Sequence, residues 1–218
     1  MAVSFDLFGT LVVVDRSGDP ASAVAEALRE RDVPVPDDWA EAYREPHVDA
    51  PEGAEVPLPA PVAAALQSRG VEVPNDAARW AVVAAFDPDD SDVTVRDGAI
   101  EAVERAGERG PVGLCSNCAV PELVPRTLAR AGLRGSFDAV VTSVACGWRK
   151  PDPRIFETLP DQLGVDPASL VHVGDDPRTD GGVEAVGGRF CDVSETPLSE
   201  IPVGTGTDSD GRGVDPCR

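Results

Sequence analysis

The sequence predicts an α/β protein: a doubly wound, Rossmann-like parallel sheet core with an inserted α-helical domain. Three observations carry that prediction. From about residue 95 onward, short apolar runs alternate with helical segments, the pattern of βαβ units and a parallel sheet. One further apolar run, AVSFD at 2–6, stands apart at the start of the chain. Between them, residues 16–93 carry helical periodicity and almost no strand signal.

Along the chain, AVSFD reads as a short buried strand that ends on Asp6, and GTL turns the chain. LVVVDRSGDP follows, apolar and then a Ser-Gly-Asp-Pro turn signal, which suggests a small hairpin close behind the first strand. Helices are expected at 21–31, from Asp37-Asp38 through Trp39 and Tyr43, at 61–70 and at 75–86. Residues 46–60 read as a loop and DPDDSDV (87–93) as an acidic linker. Then come helix 97–110, strand 112–116, helix 121–131, strand 137–143, helix 153–164, strand 170–174, a short helix near 180–187 and a last strand at 188–193. The domains expected are a core of 1–15 and 94–193, the helical insert 16–93, and a tail, 194–218. That tail is rich in Gly, Pro, Ser and Asp and is expected to be mostly disordered.

Composition narrows the partners. The chain of 218 residues has a formal net charge of −20, with the acids spread along its length. No basic stripe exists to release counterions from a nucleic acid or to hold an anionic membrane, so neither is an expected partner. Of the 19 basic residues only Lys150 is a lysine. Spread acidity with depleted lysine fits a protein adapted to concentrated salt, where screening removes the self-repulsion. The start, MAVSFDLFGT, lacks a signal peptide's basic and apolar regions, no run of about 18 apolar residues occurs, and five cysteines suggest no disulfide framework. A cytoplasmic, reduced protein is the expectation.

Ligands of such sheets bind outside the carboxyl ends of the strands. Those ends carry Asp6, Ser116-Asn117 and Asp175, with Lys150 in the loop after strand 137–143. A carboxylate at a strand end can act as a covalent nucleophile, or merely cap a turn. The Ser116 hydroxyl and free backbone N–H groups beside Asn117 can hold an anion, although Ser-Asn also ends strands for turn reasons. Pro151 and Pro153 would fix the direction of Lys150, a compact ammonium that arginine does not replace. Asp175, Asp176 and Asp180 crowd one strand end, a costly arrangement unless a cation compensates it, and hard oxygen ligands suit Mg²⁺.

Together these segments resemble the haloacid dehalogenase superfamily. FDLFGTL resembles its first motif, LCSN its second, RKPDPRIF its third and HVGDDPRTD its fourth, over residues 1–15 and about 95–193. The insert 16–93 falls where many members carry a helical cap. The resemblance implies a hydrolase whose nucleophile is Asp6, acting on a small anionic substrate through an aspartyl intermediate. Thr10 and Ser116 would bind the transferred group, with Gly9 and Asn117 beside it, and Lys150 would neutralise charge. Mg²⁺ would be held by Asp6, the backbone carbonyl of Phe8 and Asp175, with Asp180 touching it or standing just behind. Asp176 would either help hold the metal or face solvent.

The first motif departs from the family's phosphatases, which carry a second Asp where this chain has Phe8. Loss of that acid/base costs about 10²–10⁴-fold in rate. An aromatic there resembles the 2-haloacid dehalogenase branch, whereas the carboxylates of the fourth motif resemble the Mg²⁺-dependent phosphatases. A phosphatase of small phosphorylated metabolites is the reading favoured here. A dehalogenase, and a phospho-ligand binding module with a degraded site, are the alternatives. Cys115 and Cys118 form a C-x-x-C pair without the partners of a zinc site. His172 reads as a packed core residue. Arg29, Tyr43, Arg44 and His47 are the insert's candidates for touching the far end of a substrate.

Overall fold

The computed structural model describes residues 1–15, 18–74, 76–90 and 92–201. The chain enters through β1 (Ala2–Phe5), buried along its whole length. AVSF carries no charge and alternates its side chains to two covered faces, as the centre of a parallel sheet requires. The chain then turns into β2 (Val12–Asp15) and leaves the sheet. Among the described residues the expected hairpin behind the first strand is absent. Instead β2 pairs antiparallel with β3 (Asp92–Val95), Val12 opposite Val95 and Asp15 opposite Asp92. The turn signal had another use. Asp19 caps a helix by accepting from Ser22 N at 3.1 Å, and Pro20 is that helix's first residue. The acidic linker correspondingly ends in a strand.

Between the two ribbon strands lie α1 (Pro20–Arg29), α2 (Trp39–Ala42), α3 (Pro59–Ser68) and α4 (Ala77–Ala85). α1 packs along α4 and buries Val24, Ala25, Ala27 and Leu28. Trp39 is buried and anchors α2 by donating its indole N–H to Ala21 O at 2.7 Å. The insert is therefore all-helical and leaves and returns through one narrow ribbon.

After β3 the pattern alternates: α5 (Ala99–Gly107), β4 (Val112–Ser116), α6 (Leu123–Arg130), β5 (Ala139–Thr142), a single turn α7 (Ser143–Cys146), α8 (Pro153–Leu163), β6 (Leu170–Gly174), a 3-10 stretch Asp180–Val186 and β7 (Arg189–Asp192). The strand order is β5-β4-β1-β6-β7, all parallel. Val3, Phe5, Leu114, Val171 and Val173 join a core shared with α5, α6 and the insert. Ala2, Cys115 and Leu170 face the other way, against Ile155, Phe156 and Leu159 of α8. Ser4 and His172 lie on this second face, two residues on from Ala2 and Leu170, and they pair directly in register.

Ser194 onward was expected to be disordered, yet residues 194–201 pack. Leu198 and Ile201 are buried, and Arg105 donates to Leu198 O at 2.8 Å. Two apolar residues in a polar segment are enough to dock it beside α5. The rest of the tail, 202–218, lies outside the described residues.

Candidate active site

The carboxyl ends of β1, β4 and β6 converge with the loop after β5, and three carboxylates meet there. Asp6, Asp175 and Asp180 each offer an oxygen, and these oxygens all lie within 4.8 Å of one another. Asp6 directly follows β1 and is pinned by its N–H to Val173 O at 2.8 Å. Its Oδ1 is buried and makes no hydrogen bond among the described residues, but Lys150 Nζ stands 2.9 Å away as an ion pair. The same ammonium reaches Asp180 Oδ1 at 2.5 Å. Burial opposes the charge on Lys150, but Asp6, Cys115 and Asp180 outweigh it and hold the ammonium above its usual range. Three carboxylates against one ammonium leave two negative charges uncompensated.

The two aspartates after β6 that join the cluster differ. Asp180 is buried, and both its oxygens are taken. Oδ1 accepts from Lys150 Nζ and from His172 Nε2 at 3.0 Å, and Oδ2 accepts from Asp176 N at 3.1 Å. Burial would raise its pKa, but His172 and Lys150 outweigh that and hold it below the carboxylate range. Asp175 is exposed and opens toward Asp6. Partial burial and the charges of Asp6 and Asp180 push its pKa up, against the hydrogen bond from Thr10. Asp176 joins neither: its carboxylate is clamped by the exposed Arg178 and by Arg178 N.

Close approach decides two glycines. At Gly9, with φ of +88°, a Cβ would stand 2.3 Å from Asp175 Oδ2. At Gly174 it would stand 2.2 Å from Asp180 Cγ. Any side chain at either position would displace a carboxylate of the cluster.

Three residues expected to hold substrate are already engaged. Thr10 donates its hydroxyl to Asp175 Oδ1 at 2.9 Å. Gly9 is the gap that admits Asp175, and its carbonyl accepts from Arg96. Asn117 spends its amide on the backbone of Lys150, donating to Lys150 O at 3.0 Å and accepting from Lys150 N at 2.7 Å. A short polar side chain beside a backbone with unmet groups satisfies those first. Ser116 remains: its hydroxyl is fully buried at the end of β4 and makes no hydrogen bond among the described residues. Phe8 turns its ring against the hydrophobic core.

A family model of haloacid dehalogenase-like hydrolases matches residues 1–183. The chain belongs to that family. Among its relatives, the human haloacid dehalogenase-like hydrolase domain-containing protein 3 is 39% identical over 82 residues, 37% of this chain and 32% of that protein. A phosphoserine phosphatase of Thermus thermophilus is 41% identical over 61 residues, 28% of this chain and 24% of that protein. The matched stretch thus spans about a quarter to a third of these relatives. Two solved structures share the fold. A 2-haloacid dehalogenase from Pseudomonas syringae superposes with a TM-score of 0.64 at 21% identity, over 92% of this chain and 96% of that one. A HAD phosphatase from Thermococcus onnurineus gives 0.57 at 20% identity, over 90% and 87%.

The insert meets the core through a segment read only as a loop. Arg149 N donates to Gly53 O, Glu55 N to Gly147 O and Leu58 N to Ala119 O, all at 2.9 Å. Glu55 Oε2 accepts from Ser143 Oγ at 2.6 Å, and that hydroxyl in turn accepts from Cys118 N. Gly53 to Leu58 therefore lies against the loops that carry Asn117 and Lys150. Three of the four insert residues singled out in the sequence have partners within the insert. Arg44 binds Ala40 O and Asp19, His47 contacts Ala42 O, and the Tyr43 ring meets that of Trp39 at a 60° tilt. Cys115 and Cys118 form no disulfide, and burial pushes the Cys115 thiol up to about 12, which leaves it unreactive. No helix among the described residues is long and apolar enough to cross a membrane.

Proposed function

We propose that this chain is a Mg²⁺-dependent phosphatase of small phosphorylated metabolites, with Asp6 as its covalent nucleophile. The observation that carries the reading is the carboxylate cluster with its two uncompensated negative charges beside Asp6. All the donors are hard oxygens, and a divalent cation would balance the charge. Asp6 and Asp175 would hold it with the carbonyl of Phe8. Asp180, whose oxygens are both occupied, would stand behind. The metal would supply charge neutralisation at the transferred phosphoryl group.

The chain's own groups would do the rest. An Asp6 oxygen attacks phosphorus and the ester P–O bond breaks, with its electron pair leaving on the alcohol oxygen. Lys150 would offset charge on Asp6 through the transfer, and the Ser116 hydroxyl, which has no partner among the described residues, would donate to a phosphoryl oxygen. Water then attacks phosphorus, the bond between Asp6 and phosphorus breaks, Asp6 is regenerated as a carboxylate, and inorganic phosphate leaves with the water's proton released to solvent. Phe8 can neither protonate the leaving oxygen nor activate that water. The reading therefore favours esters whose alcohols leave without protonation, aryl phosphates before alkyl phosphates.

The test is phosphate release from a panel of phosphate esters with Mg²⁺ in molar KCl, the medium that suits the spread acidity and single lysine of a salt-adapted protein. The Asp6→Asn variant is expected to lose turnover. Equal phosphate release by wild type and variant would sink the reading. A second reading rests on Phe8: a 2-haloacid dehalogenase needs no acid for a departing halide. It expects chloride release from 2-chloropropionate in the presence of a chelator.

A further inference from the structure

The sequence reads His172 as a packed core residue. Its surroundings are apolar as expected: the ring meets Phe156 edge-on with centroids 5.2 Å apart, on the face of Ala2 and Leu170. Yet both its nitrogens are used. Nδ1 lies 2.8 Å from Ser4 Oγ and Nε2 3.0 Å from Asp180 Oδ1. An ionised Asp180 can only accept, so Nε2 carries the proton, and in the neutral ring Nδ1 accepts from the Ser4 hydroxyl. The result is one buried line of contacts: Ser4, His172, Asp180, Lys150, Asp6. Burying so many polar groups in an apolar layer is costly, and a leucine would fill such a slot more cheaply. A placement that stability alone does not favour calls for another role.

We propose that His172, oriented by Ser4, is a positioning residue for the reaction at Asp6. It holds Asp180 in one orientation, and Asp180 aims the Lys150 ammonium at Asp6 Oδ1. Lys150 is thereby held at both ends, its backbone by the Asn117 amide and its tip by Asp180. His172 hydrogen-bonds Asp180 and Ser4, so it acts through other groups and touches no substrate. The proposal rests on the reading of Asp6 as nucleophile and adds the device that keeps its counter-charge in place.

The experiment is steady-state kinetics of wild type, His172→Leu, His172→Gln and Ser4→Ala on an aryl phosphate with Mg²⁺, alongside thermal melts. Groups that orient such sites from behind cost about 10–100-fold when removed. His172→Leu is expected to lose kcat on that scale with KM little changed. His172→Gln, whose amide can donate to Asp180, should recover most of it, and Ser4→Ala should fall between. Ser4→Ala removes one hydroxyl and serves where the leucine variant does not fold. Leucine and glutamine variants with equal kcat would overturn the proposal, whether both match wild type or both decline with their melting temperatures. Imidazole ¹⁵N NMR of the wild type reads the tautomer without turnover: a proton on Nε2 supports the arrangement and one on Nδ1 overturns it. An inactive chain with the Nε2 proton fails the phosphatase reading alone. An active chain with the Nδ1 proton fails the positioning proposal alone.

Discussion

In the helical insert, Arg44 pairs with Asp19 at 2.8 Å, and Arg69 pairs with Asp38 and Glu45 at 2.9 and 2.8 Å. At the strand ends, Lys150 pairs with Asp6 and Asp180 at 2.9 and 2.5 Å. The distances are alike and the surroundings are not. The Arg44 side chain is 60% exposed, while that of Lys150 is 2% exposed. A pair in water gains little, because solvent screens it and two long side chains must be held still. A pair out of water holds charges that have nowhere else to go, so removing one partner strands the other. Arg44 stands in the first setting and the chain's single lysine in the second.

The largest effect expected from breaking that contrast comes at Lys150. Lys150→Met should lower the unfolding free energy by about 3–5 kcal/mol, the loss typical of a broken buried pair, as read by denaturant titration without metal. Lys150→Arg should not restore wild-type stability, because a planar guanidinium does not fit a pocket shaped around a compact ammonium. A methionine variant as stable as wild type would show that the buried pairs hold nothing.

Asp175 should give the next effect, of opposite sign. Its carboxyl is pushed up, so ionising it costs more in the folded protein than in the unfolded chain. Asp175→Asn removes that cost, and the metal-free protein should melt higher than wild type at neutral pH. The same variant should lose the stabilisation that Mg²⁺ gives the wild type. A lower metal-free melting temperature would mean that Asp175 is not repelled by its neighbours. The smallest effect is expected in the insert, where Arg44→Ala should leave the melting temperature unchanged within error at low and at molar salt. A clear drop would put the insert's pairs in the same class as the buried ones.

Much of this architecture is legible in the sequence. The strands at 112–116 and 170–174 fall where the apolar runs placed them, since a buried parallel strand needs a continuous apolar stretch. The β2–β3 ribbon was not legible. Its partners lie some eighty residues apart, and the Ser-Gly-Asp-Pro signal beside β2 is shared by turns and helix starts. At the site, local spacing drew attention to Asp6, Ser116, Lys150, Asp175 and Asp180, and the structure gathers the four charged ones in one cluster. The partners of Thr10 and Asn117 within the protein were not legible, because a polar side chain takes whichever unmet donor or acceptor tertiary packing brings near. Arg96 and Glu55 left no sequence signal at all.

The sequence by itself determined the sheet, the all-helical insert, the family and the strand-end residues, because residue type and spacing along one segment encode those. Only the tertiary structure decided which aspartate is open and which is enclosed. It alone turned His172 from core filler into the partner of Asp180. Ser4 and His172 stand 168 positions apart, and their contact exists only through the register of β1 on β6. Register is a property of two distant strands packed together, and the periodicity of neither one carries it.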